Sequence, residues 1–270
     1  VTKRGFGFGG LQDVRGWQVN GPRLTFCENN NENYDQAGLA LFVLDDNDSI
    51  VRRDWPNPAH SLPFWADSPS LDYTPVSTQN TSLVVIATHE DVGGDEALTG
   101  ADFGGTSMTE IARATSIDVN GNENEIVIFK LDDPGTTQKT ISITGGQTDR
   151  LGIMVLTTAG VDGLDTVSPV ETEQTGVFSI SHSFTPDNDG LALTACNISR
   201  NIGWSPGADQ QFLVQEAEAS TLASFLSREK VSSGVQTTHS YSDADGGTEN
   251  EDRVALATVV FNTATGSTVS

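Results

Sequence analysis

Cysteine and methionine are nearly missing from this sequence, with two of each among 270 residues. Two cysteines, Cys27 and Cys196, exclude a disulfide-dense scaffold and a multi-cysteine metal centre. A bridge between them stays open, since spacing alone cannot place their Cα atoms within reach. Cys196, inside the apolar stretch Leu191–Cys196, reads first as a buried free thiol. Cationic side chains are scarce too: 14 Lys and Arg face 37 Asp and Glu, a formal charge of −23. That field repels nucleic-acid phosphates and anionic membranes, so neither is expected as a direct partner. It keeps a chain soluble at high ionic strength and suits a saline or divalent-rich setting. No apolar run has the length of a membrane-crossing helix. The start, Val1–Gly10, carries basic residues without a following apolar stretch, so no secretory signal is expected there.

What is abundant is turn and strand signal. The 27 glycines punctuate short apolar or alternating runs: Leu39–Leu44, Leu83–Thr88, Glu125–Leu131, Thr140–Thr144, Leu151–Thr157, Val177–Ser183, Leu191–Cys196, Phe212–Glu216 and Arg253–Phe261. Alternation is clearest at Val177–Phe184, where Phe178, Ile180, His182 and Phe184 share one face and serines the other. Clusters such as Gly93-Gly94-Asp95, Asp132-Asp133-Pro134-Gly135 and Pro186–Gly190 separate the runs. One short helix is expected around Gln215–Lys230, with Ala217, Leu222, Phe225 and Leu226 on its apolar side. Many short strands with almost no helix predict an all-β fold, a jelly-roll-type antiparallel β-sandwich.

The texture divides the chain. Residues 1–78 read as an irregular N-terminal arm: a Gly/Phe start, an Asn-rich stretch, then aromatics spaced by prolines from Trp55 to Tyr73. Residues 79–262 read as one sandwich of ordinary domain size, and 263–270 as a loose polar tail.

The second region resembles a β-sandwich module of tailed-phage virion proteins and bacterial surface proteins. The resemblance begins at Leu83–Thr88 and continues at Gly100-Ala101-Asp102-Phe103-Gly104-Gly105-Thr106-Ser107-Met108-Thr109, similar to that module's "G-V-x-Y/F-G-G-x-x-M/L-T" turn. Glu125–Leu131 is similar to its "v-x-l-W/F-x-L" strand, Ala159–Asp162 with Pro169 to its "G-V-D-x-x-x-P" segment, and Arg253–Phe261 to its last strand. These pieces cover about two-thirds of the chain. The resemblance implies a sandwich known by architecture rather than catalysis, so it brings no catalytic residues. In that reading Phe103 anchors the core, Gly104-Gly105 make a positive-φ turn and Met108 returns inside.

Candidate chemistry is sparse. His60, His89, His182 and His239 are the only histidines. A Ser-His-Asp set drawn from His89 and Asp91 lacks a G-x-S-x-G elbow, and His182 lies on an apolar strand face. There is no HExxH and no paired CxxC. Acids cluster in turns rather than along a cleft, which argues against a glycosidase pair. Calcium is the best chemical candidate: Asp118, Asn120, Asn122 and Asn124 alternate around Gly121, which suits a hard cation. Asp45–Asp48, Asp187–Gly190 and Asp243–Gly247 are similar, yet Asp, Asn and Gly are also the ordinary turn formers.

Phe6, Phe8, Trp55, Phe64, Trp65 and Tyr73 are the candidate assembly contacts, because aromatics supply large buried area at interfaces. A sugar-stacking platform or plain intramolecular packing would use the same side chains. The expectation is therefore a non-enzymatic virion structural protein, a capsid decoration or a tail or fibre component of a tailed phage. Its arm would attach it to copies of itself or to other virion proteins. The alternative is a carbohydrate-binding or adhesive module at a bacterial surface, assisted by calcium and facing a cell-surface glycan.

Overall fold

The computed structural model describes residues 43–44, 50–54, 70–75, 81–91, 97–118, 121–145, 150–158, 161–175, 179–199, 204–218, 222–243 and 253–263. Every described element is a strand, and every strand pairing is antiparallel. The chain is an all-β, antiparallel jelly-roll protein.

The expected sandwich is doubled. In the first roll an inner sheet runs β1 (Val43–Leu44), β2 (Ile50–Asp54), β10 (Arg150–Thr158), β4 (Ser82–Asp91), β8 (Glu123–Asp132), β7 (Thr109–Ile117). Its outer sheet runs β3 (Ser70–Tyr73), β9 (Lys139–Gly145), β5 (Leu98–Phe103), β6 (Thr106–Ser107). Counted along the chain from β2, with β6 and β7 as one bent strand that belongs to both sheets, the orders are 1-8-3-6-5 and 2-7-4-5, the double Greek key of a jelly roll. The second roll repeats the plan. Its inner sheet runs β11 (Val161–Leu164), β19 (Arg253–Thr263), β14 (Gly190–Ile198), β17 (Leu222–Val231), β16 (Gln211–Glu218), with β12 (Val170–Thr175) also on β19. Its outer sheet runs β13 (Ser179–Phe184), β18 (Thr237–Asp243), β15 (Trp204–Pro206). Strands β2, β3, β4, β5, β7, β8, β9 and β10 thus correspond to β12 through β19 in order.

The two inner sheets pack on each other, giving four layers. Val84, Ile86, Ile126, Ile128, Met154 and Leu156 of the first roll share one core with Leu191, Leu193, Ala257, Val259 and Phe261 of the second. Each inner sheet carries a second core on its other face. Leu83, Val85, Phe129 and Ile153 meet Phe103, Ile141 and Ile143 beneath the first outer sheet. Cys196, Phe225 and Leu256 meet Ile180, Trp204 and Tyr241 beneath the other. Strands with two buried faces need apolar residues at successive positions, and all nine residues of β14 are buried. Outer strands have one wet face, so β13 alternates exposed and buried at every step.

Two expectations change. Gln215–Lys230 is not a helix but the antiparallel pair β16 and β17. Phe225 and Leu226 point into different cores, so their adjacency reflects two buried faces rather than a helical side. Sheet structure also begins before residue 79: β2 and β3 are the first two strands of the first roll.

Candidate functional site

The glycine-containing segment 100–109 forms a strand, a tight turn and a second strand. Phe103 has no exposed surface, and Met108 is 8% exposed. Gly104 and Gly105 hold φ at 60° and 80°, a region glycine enters without steric cost. Gly105 N–H donates to the Asp102 carboxylate at 2.9 Å, which closes the turn. The segment is an architectural corner that carries the chain from the outer to the inner sheet.

Polar chemistry gathers in two buried places. The first is the seam between the rolls. Asn197 donates its amide to the carbonyls of His89 and Glu125, at 3.0 and 3.2 Å, and accepts from Ser224 at 3.0 Å. Asn124 donates to the Arg253 carbonyl at 2.7 Å, and Ser224 is 2.7 Å from Thr88 Oγ1. Arg253 pairs with Glu90 at 2.5 Å and reaches Asp118 at 3.8 Å. Nearby, Arg113 holds Glu125 and Glu110 and donates to the Leu98 carbonyl at 2.8 Å. Burial raises the Glu125 pKa from its ordinary value, against the pull of Leu98 N–H and Arg113.

The second lies between the inner and outer sheets of the second roll. His182 and His239 face each other in register across β13 and β18. Their nitrogens meet the hydroxyls of Thr172, Thr194 and Thr258 and the carboxylate of Glu229. The Glu229–His239–Thr194 sequence has the residue types of a nucleophilic triad, but Thr194 has no exposed surface and its oxygen also bonds Thr258. Substrate has no approach to it. Burial lowers the His182 pKa to about 4, and burial with the neighbouring His182 lowers that of His239 to about 3.

The expected calcium ligands are dispersed among structural bonds. Asp118 accepts from Asn122 N–H at 3.0 Å and from Asn122 Nδ2 at 2.7 Å. Asn124 turns inward to the Arg253 carbonyl, and Asn120 lies outside the described residues. In the similar loop at 187–190, Asp187 accepts from Thr166, Asp189 accepts from Ser233 N–H at 2.8 Å, and Asn188 donates to Asp165. Among the described residues no three His, Cys, Asp or Glu side chains are grouped to hold a metal.

Of the candidate assembly contacts, Phe6, Phe8, Trp55, Phe64 and Trp65 lie outside the described residues. Tyr73 is 4% exposed within the first outer core, with its hydroxyl 2.8 Å from Thr157. Cys196 is a buried free thiol whose pKa burial raises well above its ordinary value.

Sequence reading reached His182 but not its network. Thr194 and Thr258 sit inside apolar runs as if they were ordinary strand formers, and β18 reads as a polar stretch. A threonine within an apolar strand opposite an inward histidine was the available signal. No protein-family model, no curated protein and no solved structure matches the chain.

Proposed function

We propose that this chain is a non-enzymatic structural protein of a tailed-phage virion, displayed as a rigid double jelly roll. One observation carries the reading: the described polar clusters are used inside the protein as cross-links, while two rolls are fused through a shared core. A binding or catalytic protein needs some of its chemistry open to solvent. Here the seam and the histidine network are closed, and the acids of the described loops hold turns together. The motif at 100–109, through which the chain resembles virion and surface modules, serves the architecture in the same way. A fold alone names no function, so the reading rests on where the chemistry is spent.

The acidic surface fits a particle exterior, because like charge keeps copies apart except at chosen contacts. Gene context tests the proposal directly. Capsid, portal or tail genes beside this gene support it, together with detection of the chain in purified particles. Secretion or cell-wall genes in those places, with binding to a neutral glycan in an array, would replace it with the surface-adhesin reading.

A further inference from the structure

The hydrogen bonds around His182 and His239 have a direction. The Glu229 carboxylate only accepts, so His239 Nε2–H donates to it at 2.9 Å. In the neutral ring His239 Nδ1 then accepts, and the Thr194 hydroxyl donates to it. Thr194 Oγ1 accepts from Thr258 at 2.6 Å, Thr258 accepts from His182 Nε2–H at 2.6 Å, and His182 Nδ1 accepts from Thr172 at 3.4 Å. This assignment uses each proton once and leaves both imidazoles neutral. One added proton at His239 Nδ1 can be taken up by reversing the order of donors along Thr194, Thr258 and His182, but with both rings charged Thr194 and Thr258 each receive an imidazolium N–H and one of the two hydroxyls must turn its proton out of the chain.

The surroundings offer no compensation for two cations. The rings are 6.5 Å apart, and Phe184 packs perpendicular to His239 with ring centroids 5.0 Å apart. From β17 the facing titratable group is Glu229, since Arg228 and Lys230 alternate to the opposite face. From β14 it is Cys196, and β18 adds Tyr241 beside His239. From β19 come Thr258 and the apolar Val254, Leu256 and Val260. From β12 comes Thr172, with Glu171 and Glu173 exposed on the other side. Asp209, in the turn after β15, acts on Glu229. One carboxylate thus faces a pair of histidines.

We propose that this chain of hydrogen bonds is an acid-sensitive latch, holding the outer sheet β13–β18–β15 on the body while both imidazoles are neutral and releasing it when they gain protons. The latch stands on the geometry whatever particle the protein serves. Its sign follows from burial. The folded histidines titrate at about 4 and about 3, against 6.5 when opened to water. The closed state is fully favoured above 6.5 and loses ground as pH falls from there toward 4. Each histidine favours opening by about tenfold per pH unit within that window. Burial and Asp209 raise the Glu229 pKa, which works the other way and offsets part of the effect of one histidine.

Hydrogen exchange on the full chain, corrected for intrinsic rates, tests the latch at pH 7 and pH 5. Amides of β13 and β18 are expected to lose protection on the order of a hundredfold relative to those of β4 and β8, reversibly. The His182→Gln, His239→Gln variant is expected to lose that pH dependence. An unchanged ratio at the two pH values, or the same acid loss in the variant, overturns the latch. If the variant does not fold, imidazole NMR of the unmodified chain decides. Rings that stay neutral until the sheet opens support it, and rings that titrate near 6.5 within a protected sheet overturn it.

Discussion

Arg253 and Glu90 meet at 2.5 Å across the seam between the two rolls, with side chains 8% and 4% exposed. They join the last strand of the second roll to the third jelly-roll strand of the first. Removing Glu90 leaves the buried Arg253 charge with only the longer contact to Asp118 at 3.8 Å. Glu90→Ala is therefore expected to cost about 3–5 kcal/mol of unfolding free energy. Replacing both at once, Glu90→Leu with Arg253→Met, removes the charges together and should recover most of that loss. Denaturant unfolding of the three proteins measures it, and equal losses in single and double variants would deny the pair this role.

Asn197 supplies the second cross-link, donating to two carbonyls of the first roll. Asn197→Ala should destabilise by about 1–3 kcal/mol, since buried acceptors lose their donor. Asn197→Asp is expected to be worse at neutral pH, because a carboxylate brings only acceptors toward two carbonyl oxygens. Lowering the pH toward its protonation should return part of the loss. A neutral Asp variant as stable as wild type would mean that the amide does not fix the seam.

How much of this was legible in the sequence depends on how many faces a strand buries. β13 has one, and its alternation placed Ile180, His182 and Phe184 correctly in the core. β4, β14 and β19 have two, and their unbroken apolar runs were still readable as strands. β17 also has two, but Ser224, Ser227 and Arg228 interrupt it, and the remaining apolar spacing imitated a helix. The duplication stayed hidden because corresponding positions do different work. Leu151 pairs with His89 where Val254 pairs with Ile198, and Gly152 pairs with Thr88 where Ala255 pairs with Asn197. The seam breaks the equivalence: Asn197 reaches across it to the first roll. Nor does anything local mark Glu90 and Arg253 as partners, since they are 163 residues apart.

Two glycines should respond very differently to a methyl group. Gly145 holds φ at 91°, and a Cβ there would lie 2.2 Å from the Ala97 carbonyl oxygen and 2.8 Å from Thr99 N. Gly105 holds φ at 80°, with nothing within 4 Å of its Cβ position. Gly105→Ala should therefore cost only about 1–2 kcal/mol of backbone strain. Gly145→Ala must also part the β5–β9 pairing and is expected to cost more than about 3 kcal/mol. Thermal unfolding ranks the two, and similar melting temperatures would show that the close approach at Gly145 relaxes freely.

Asp165 ties the turn before β12 to the turn after β13 and makes a carboxylate contribution separable from that of the histidines. It is 2% exposed and accepts from Val167, Asp187 and Asn188 N–H at 3.2, 3.2 and 3.0 Å, and from Asn188 Nδ2 at 3.3 Å. Burial works to raise its pKa, but those N–H donors outweigh it and hold the pKa below its ordinary value of 3.8. A depressed carboxylate stabilises the fold fully above its unfolded pKa and loses that contribution as pH falls through the folded one. The histidines act higher, between 6.5 and about 4. Asp165→Asn should lower stability at pH 7 by about 1–3 kcal/mol, because an amide presents hydrogens to some of the same donors. It should also flatten the stability profile below pH 4 while leaving the slope between pH 6.5 and 4 intact. Urea unfolding across that range separates the two windows, and a variant that flattens only the upper one would reassign the acid response away from Asp165.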